Sequence, residues 1–449
     1  MKKTALAILA WLLVWAPGRM TFAQDSPEEK ITLTLEKSIS LALSQNPSYL
    51  ASQERVGAAQ SRVRQAAAQF FPTVDAIGQN NLDRKVFTLE FPSFIPGGRP
   101  QRVAIDFAKN YQLTLNMSVP LYTGGRLTAG YRQARYGLLA SQESVRQASQ
   151  ETVFNVKQAF FNFLVSREYV KVTEESLSLA EKTLANVRNM YEVGVSSRLD
   201  LLRAEVRTSN QKPPVIQARN SVKMAEAGLK TVLGLDLSQP VEIAGELTYR
   251  PVEVDPAASL SSALANRPEL SLVNFQRLIA EEMRKIAFAG ALPTVAVAGN
   301  YNYWGNYLKF NSVSWENFYS FNLILNIPIF KGFQTPAQVA EAKAALREIE
   351  QTRKGITDAI KFEVEASLLN LNQARETLLS QEKNIEQALE GVRVSDLNYS
   401  EGLATILDVG AAQIALSEAR INRLRAVYDY EIALAQLDKA MGVNWKSAE

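Results

Sequence analysis

The chain is 449 residues long, 47% of them apolar, 21% charged and 9% aromatic, enough for two or three domains and too apolar for a disordered tail. It contains no Cys and no His, so disulfides, thiolate and imidazole chemistry and every Ser-His or Cys-His catalytic pair are excluded. Lys plus Arg (49) against Asp plus Glu (46) leaves +3, too slight a balance for a nucleic-acid surface.

The first segment explains that charge. Lys2, Lys3 and Arg19 are the only charged residues before Gln24, and they flank an apolar run from Ala5 to Val14 and a small-residue site at Thr21-Phe22-Ala23. This pattern predicts a signal peptide over 1–23, cleaved before Gln24, with no Cys there to carry a lipid. The exported chain is then formally neutral. No later stretch approaches the 18 or so consecutive apolar residues of a transmembrane helix.

Self-comparison shows a duplication. Asn46-Pro47 matches Arg267-Pro268, and Phe71-Pro72-Thr73-Val74 matches Leu292-Pro293-Thr294-Val295, both at an offset of 221 (268 − 47). Val119-Pro120-Leu121-Tyr122 matches Ile327-Pro328-Ile329-Phe330 at 208 (328 − 120), as do Gly194 with Gly402, Asp200 with Asp408, and Gly234 with Gly442. The 13-residue change (221 − 208) falls between Pro72 and Pro120, around Phe91-Pro92 and Pro96-Gly97-Gly98, as a surface-loop insertion would. The repeats are expected over 24–234 and 256–449, with 235–255 as a linker bounded by prolines.

In the first repeat a hairpin is predicted over 72–120. Tyr111, Leu113, Leu115, Met117 and Val119 alternate with Gln112, Thr114, Asn116 and Ser118, the period of a strand with two different faces. Val74 and Ala76 open its weaker partner. A half-buried sheet in a soluble protein would show the same period. Three features favour a membrane: strands of bilayer-crossing length, an uncharged polar face suited to a watery lumen, and aromatics at the strand ends. Those aromatics are Phe70 and Phe71 at one end, with Trp304, Tyr307, Trp315, Phe318 and Tyr319 at the other.

A long helix follows over 126–192, with Val156, Phe163, Val170, Leu177, Leu184 and Tyr191 forming a seven-residue seam, which holds one face toward a neighbouring helix. Gly194 is a predicted helix C-cap. The turn Val195-Ser196-Ser197-Arg198 and a returning helix over 199–233 come next, with Asp200 at its start. Pro213-Pro214 predicts a break in that helix at 211–214. The second repeat has a hairpin over 293–328, with Tyr319, Phe321, Leu323, Leu325 and Ile327 as its apolar face and Ile324 as an exception on the polar one. Its long helix covers 336–400, with the seam Val364, Leu371, Leu378, Ile385, Val392 and Tyr399 flanked by small residues such as Ser367 and Ala374. The returning helix covers 406–441, behind the turn Gly402-Leu403-Ala404-Thr405. Four strands cannot close a barrel, and an open edge in lipid leaves backbone groups unpaired. Several chains must then share one barrel, and three give twelve strands.

On the hairpin–helix joins Val119-Pro120-Leu121-Tyr122-Thr123-Gly124-Gly125-Arg126 and Ile327-Pro328-Ile329-Phe330-Lys331-Gly332, and on Tyr191…Gly194…Asp200 and Tyr399…Gly402…Asp408, the chain resembles the TolC-like outer-membrane efflux protein family from about Leu33 to Gly442. The resemblance implies an α+β membrane protein: a homotrimer with a 12-stranded outer-membrane β-barrel, continued by a periplasmic α-helical barrel. It implies passive export of small molecules or proteins for an inner-membrane pump joined by a periplasmic adaptor, in a tripartite efflux or type I secretion system. The turns at Gly194, Val195, Ser196, Gly402, Leu403 and Thr405 would meet the adaptor. Asp408 matches a family position whose acids ring the constriction, and Asp200 and Tyr399 match residues that hold the tip closed by hydrogen bonding. The sequence departs from the family where its basic partner falls at Ala404 and a second ring acid at Ala411; Arg198, in the other turn, is the candidate replacement. The competing reading is a soluble periplasmic coiled-coil scaffold or adaptor. An enzyme has no support, since the chain shows neither a phosphate-cradling glycine loop nor a nucleophile elbow, and neither a metal nor a cofactor is expected.

Overall fold

A computed structural model describes residues 31–80, 86–93, 95–106, 111–305 and 315–445. The expected signal peptide and Tyr307 lie outside them. In chain order the elements are β1 (Ile31–Leu33), α1 (Leu35–Gln45), α2 (Pro47–Ala68), β2 (Thr73–Asn80), β3 (Val86–Phe91), β4 (Gln101–Asp106), β5 (Tyr111–Tyr122), α3 (Arg126–Glu192) and α4 (Arg198–Leu233). Then come β6 (Val241–Ile243), α5 (Pro256–Asn266), α6 (Pro268–Ala289), β7 (Thr294–Gly305), β8 (Trp315–Asn326), α7 (Gln334–Ser400) and α8 (Ile406–Ala440).

The duplication is visible in the element lengths. Helices α1 and α5 have 11 residues each, α2 and α6 have 22, and α3 and α7 have 67. Among the described residues, what the first copy adds is the ribbon β3–β4, a separate antiparallel pair lying between β2 and β5 in the chain. Prolines start the second helix of each copy, Pro47 behind the Asn46 side-chain cap and Pro268 behind Arg267, where the missing N–H costs nothing.

Strands β2, β5, β7 and β8 form one antiparallel sheet in that order. The central β5–β7 pairing joins the two copies, and β2 and β8 are its two free edges. At 1.5 Å per residue, the 67-residue helices each run about 100 Å. Each long helix packs along its own returning helix, and α3 also packs on α8. Of the first seam, Val156 and Phe163 are buried; of the second, Val364, Leu371, Leu378 and Val392 are. A belt ties the shaft together near mid-length. Leu33, Ile39 and Ala42 pack against Val156, Phe160, Leu229 and Leu233, β1 pairs in parallel with β6, and the buried Tyr430 hydroxyl donates to Arg250 O while accepting from Val252 N–H, both at 3.1 Å.

The expected break at 211–214 does not occur: α4 is continuous through Pro213 and Pro214. Packing holds it on both sides, with Thr208, Val215 and Ala218 buried and Thr208 Oγ1 donating to Ala180 O of α3 at 3.2 Å. Ser209 and Asn210, whose carbonyls lose their usual donors, are exposed, so water can satisfy those oxygens. Tertiary burial thus outweighs the local proline penalty. Pro213→Ala is expected to stabilise the protein by up to about 3 kcal/mol, read as a rise in the midpoint of heat-induced loss of helical circular dichroism.

Candidate functional site

The strand sheet has two chemically distinct faces. On one, Thr114 Oγ1 donates to Asn302 Oδ1 at 2.8 Å, Asn302 Nδ2 to Asn300 Oδ1 at 3.3 Å, and Ser320 Oγ to Asn300 Oδ1 at 3.0 Å. Gln112 and Asn322 extend this ladder at either side. It crosses three strands, and every rung is a neutral donor–acceptor pair. On the other face Val74, Leu115, Met117, Tyr319, Phe321, Leu323 and Leu325 are exposed, Phe321 by 73% and Leu323 by 71%. Water does not favour such a patch; hydrocarbon does.

Register corrects two expectations. The polar face is not wholly uncharged: Asp75 stands opposite Asn116 and Glu316 opposite Trp304, on the same side as the ladder. Trp304 and Phe318, expected at the outer rim, also lie on that side, paired with Gln112 and Asn302 and 5.4 Å apart between ring centroids. Tyr303 and Trp315 stack at 4.8 Å on the apolar face. At the opposite strand end Phe70 meets Tyr131 edge-on and Phe71 is exposed.

At the far end of the shaft the two turns share one geometry. Val195 N donates to Met190 O and Gly194 N to Tyr191 O; Leu403 N donates to Asn398 O and Gly402 N to Tyr399 O. These are the paired bonds of a Schellman cap, which needs a left-handed residue, and Gly194 and Gly402 supply it at φ +79° and +76°. Each returning helix is then capped by a hydroxyl. Ser197 Oγ accepts from Asp200 N and donates to Asp200 Oδ2 at 2.7 Å. Thr405 does the same with Asp408 and adds its backbone N–H to Oδ2 at 2.8 Å, completing a capping box. The Thr405 hydroxyl and N–H hold the Asp408 carboxyl below the ordinary carboxylate range.

The expected tip residues therefore come together only in part. Asp200 is engaged by Ser197 and by Arg203 at 3.7 Å, and no hydrogen bond joins it to Tyr399. The Tyr399 ring instead packs on the apolar cluster of Val187, Ala204, Ile406 and Val409, which draws on α3, α4 and α8. Arg198 is exposed and makes no ion pair among the described residues. Val195 and Leu403 are exposed by 71% and 79%, so both turns present apolar tips. Sequence reasoning missed Arg207. Its guanidinium lies against Gly410 of α8, where a Cβ would come within 2.7 Å of Nη1, and burial pulls its pKa down. The glycine in mid-helix was the available signal.

A sheet with one lipid-like face, two free edges and a long helical shaft is the architecture of a known family, and residues 38–235 and 259–443 match the family model described as outer membrane efflux protein. The chain belongs to that family. It is similar to the outer membrane efflux protein BepC of Brucella suis, 24% identical over 347 residues that span 77% of this chain and 75% of BepC. Among solved structures it resembles a membrane protein from Pseudomonas aeruginosa (TM-score 0.76, 20% identity, 91% of this chain and 93% of that one). It also resembles the Campylobacter jejuni CmeC outer membrane channel (TM-score 0.75, 16% identity, 92% and 87%). The protein is an outer-membrane efflux channel, and the soluble-scaffold reading is set aside. Among the described residues no helix is long and apolar enough to cross a membrane; in this efflux protein the strands do so.

The depressed Asp408 pKa has a pH consequence. A carboxylate held below its ordinary value stabilises the folded state above the ordinary carboxylate pKa of about 3.9 and loses that contribution as pH falls through the depressed value. Thr405→Val removes the hydroxyl. Hydrogen exchange at residues 405–409 is therefore expected to lose its protection at a higher pH in the variant than in the wild type.

Proposed function

We propose that three copies of the chain close a 12-stranded barrel through β2–β8 seams and export small molecules or proteins from an inner-membrane pump through a periplasmic adaptor. The observation that carries this is the four-stranded sheet with an apolar and a polar face and both edges free. An even number of alternating strands lets β8 of one chain meet β2 of the next antiparallel, so every join in the ring has the same chemistry. The 67-residue helices then project into the periplasm, with 24–234 and 256–449 as paired repeats around the 235–255 linker. No chemical step is needed for passage, and the hydrogen-bonding lumen face, neutral along its ladder and acidic at Asp75 and Glu316, suits a wide, weakly selective duct.

In this reading the helix turns form the periplasmic entrance. Asp408 uses Oδ2 for its cap and leaves Oδ1 for the passage, so three copies place three carboxylates around one axis and attract cations. With alanine at 404 and 411, closure relies on apolar packing of Tyr399 and on Asp200, Arg198 being the cation free to cross to a neighbouring chain. The turns Gly194-Val195-Ser196 and Gly402-Leu403, with Thr405, are the adaptor contacts, led by the exposed Val195 and Leu403.

The purified protein in planar bilayers is expected to conduct as a trimer, and a freely dissolved monomer without affinity for bilayers would overturn the reading. Asp408→Asn should lower the ratio of cation to anion permeability several-fold without loss of the trimer. Arg198→Ala should raise leak conductance; an unchanged leak would remove Arg198 from the gate.

A further inference from the structure

Just beyond the strands, α6 lies between α3 and α7, and each face of this three-helix layer holds a cavity. The one of about 750 Å³ includes Thr294 and Asn326 in its wall. These two pair across β7 and β8 on the polar strand face, so that cavity opens toward the lumen. The second, of about 620 Å³, is lined by Glu282, Lys285 and Phe288 of α6, with Arg132 of α3 and Lys343 of α7. At about 100° per residue, these α6 positions centre about 130° around the helix from Met283, Ile286 and Gly290, which line the first cavity, so the two cavities sit on different faces of α6. The second cavity therefore opens outward, onto the exterior of the shaft.

Its charge is one-sided. Arg284 completes a set of four cations facing a single carboxylate. That carboxylate, the buried Glu282, is already engaged by Lys285 at 2.6 Å. Arg132, Arg284 and Lys343 make no ion pair among the described residues, and three unpaired cations around one hollow repel one another until an anion joins them.

Position identifies the anion. Arg132 lies seven residues beyond Gly125, the cap of α3, so about 10 Å from the strand–helix joint. The headgroup layer extends roughly 5–8 Å past the hydrocarbon, and a long cationic side chain spans the difference. On the membrane side the cavity is bordered by Phe288, 55% exposed. Beyond it Tyr122 and Leu325 continue the apolar strand face, both aligned with Val295. Free inorganic phosphate could use the cations but none of this apolar path.

We propose that the outward cavity seats the headgroup of an anionic glycerophospholipid from the periplasmic leaflet, with Arg132, Arg284 and Lys343 on its phosphate and Phe288 beside its acyl chains. The site rests on the strands lying in the membrane. The test places the full chain in nanodiscs of equal phosphatidylglycerol and phosphatidylcholine, then identifies lipids retained on the released channel by native mass spectrometry. Phosphatidylglycerol should be enriched at least about five-fold over phosphatidylcholine, the scale of roughly one kcal/mol per juxtamembrane cation. The enrichment should vanish when Arg132→Gln, Arg284→Gln and Lys343→Gln are combined. Lys343→Glu alone, at an exposed position, should reduce it and keeps the test readable should the triple variant fail to assemble. Equal retention of the two lipids, enrichment unaffected by the variants, or displacement of the lipid by inorganic phosphate that itself binds would each overturn the headgroup site and leave the barrel standing. Failure of the wild-type chain to insert into nanodiscs would overturn both.

Discussion

Along the outer edges of β2 and β8 no strand of the same chain pairs among the described residues, and hydrocarbon offers backbone N–H and C=O groups no partner. That constraint organises the molecule. A lone four-stranded sheet with Phe321 and Leu323 turned outward is suited neither to water nor to lipid, so the fold is completed only by other copies of itself. Once the ring is closed, its interior is set by the ladder through Thr114, Asn302, Asn300 and Ser320. These groups satisfy one another laterally, and the carboxylates of Asp75 and Glu316 stand on the same side.

The shaft answers a different requirement, reach. Its helices are held less by one continuous core than by separate clusters strung along their length: around Leu33 and Leu229, around Leu371 and Tyr430, around Leu378 and Val427, and at the tip around Val187 and Val409. Joints between strand and helix need close approach. Gly124, at φ +63°, sits where a Cβ would come 2.8 Å from Leu292 Cβ, so the end of α6 and the start of α3 meet there without a side chain between them. The second copy has Phe333 in the left-handed region at the cap that Gly125 occupies in the first, and its exposed ring packs edge-on against Phe330.

Much of this was legible in the sequence, because period and repetition are local properties. Alternation from Tyr111 identified the two faces, the seven-residue seam identified the long helices, and Gly194 and Gly402 marked their ends. What escaped depended on register or on distant contacts. Asp75 was overlooked because Val74 and Ala76 suggested only the apolar half of a weak strand. Trp304 and Phe318 looked like rim aromatics by composition, whereas pairing with Gln112 and Asn302 turns them inward. Pro213-Pro214 signalled a break that burial of Val215 and Ala218 prevents. Asp200 found its hydrogen bonds three residues away, at Ser197, before any distant tyrosine could compete. The cluster of Arg132, Arg284 and Lys343 comes from three helices far apart in the chain, and no spacing rule brings them together.

Among the described residues the ribbon β3–β4 belongs to one repeat alone. The paired 22- and 67-residue helices make the shaft of a trimer nearly six-fold, since each chain contributes two equivalent staves. The cell-surface rim inherits no such equivalence. With a ribbon on every second hairpin, it is strictly three-fold, and an outside ligand that grips the ribbons has three places to bind where the shaft below would offer six.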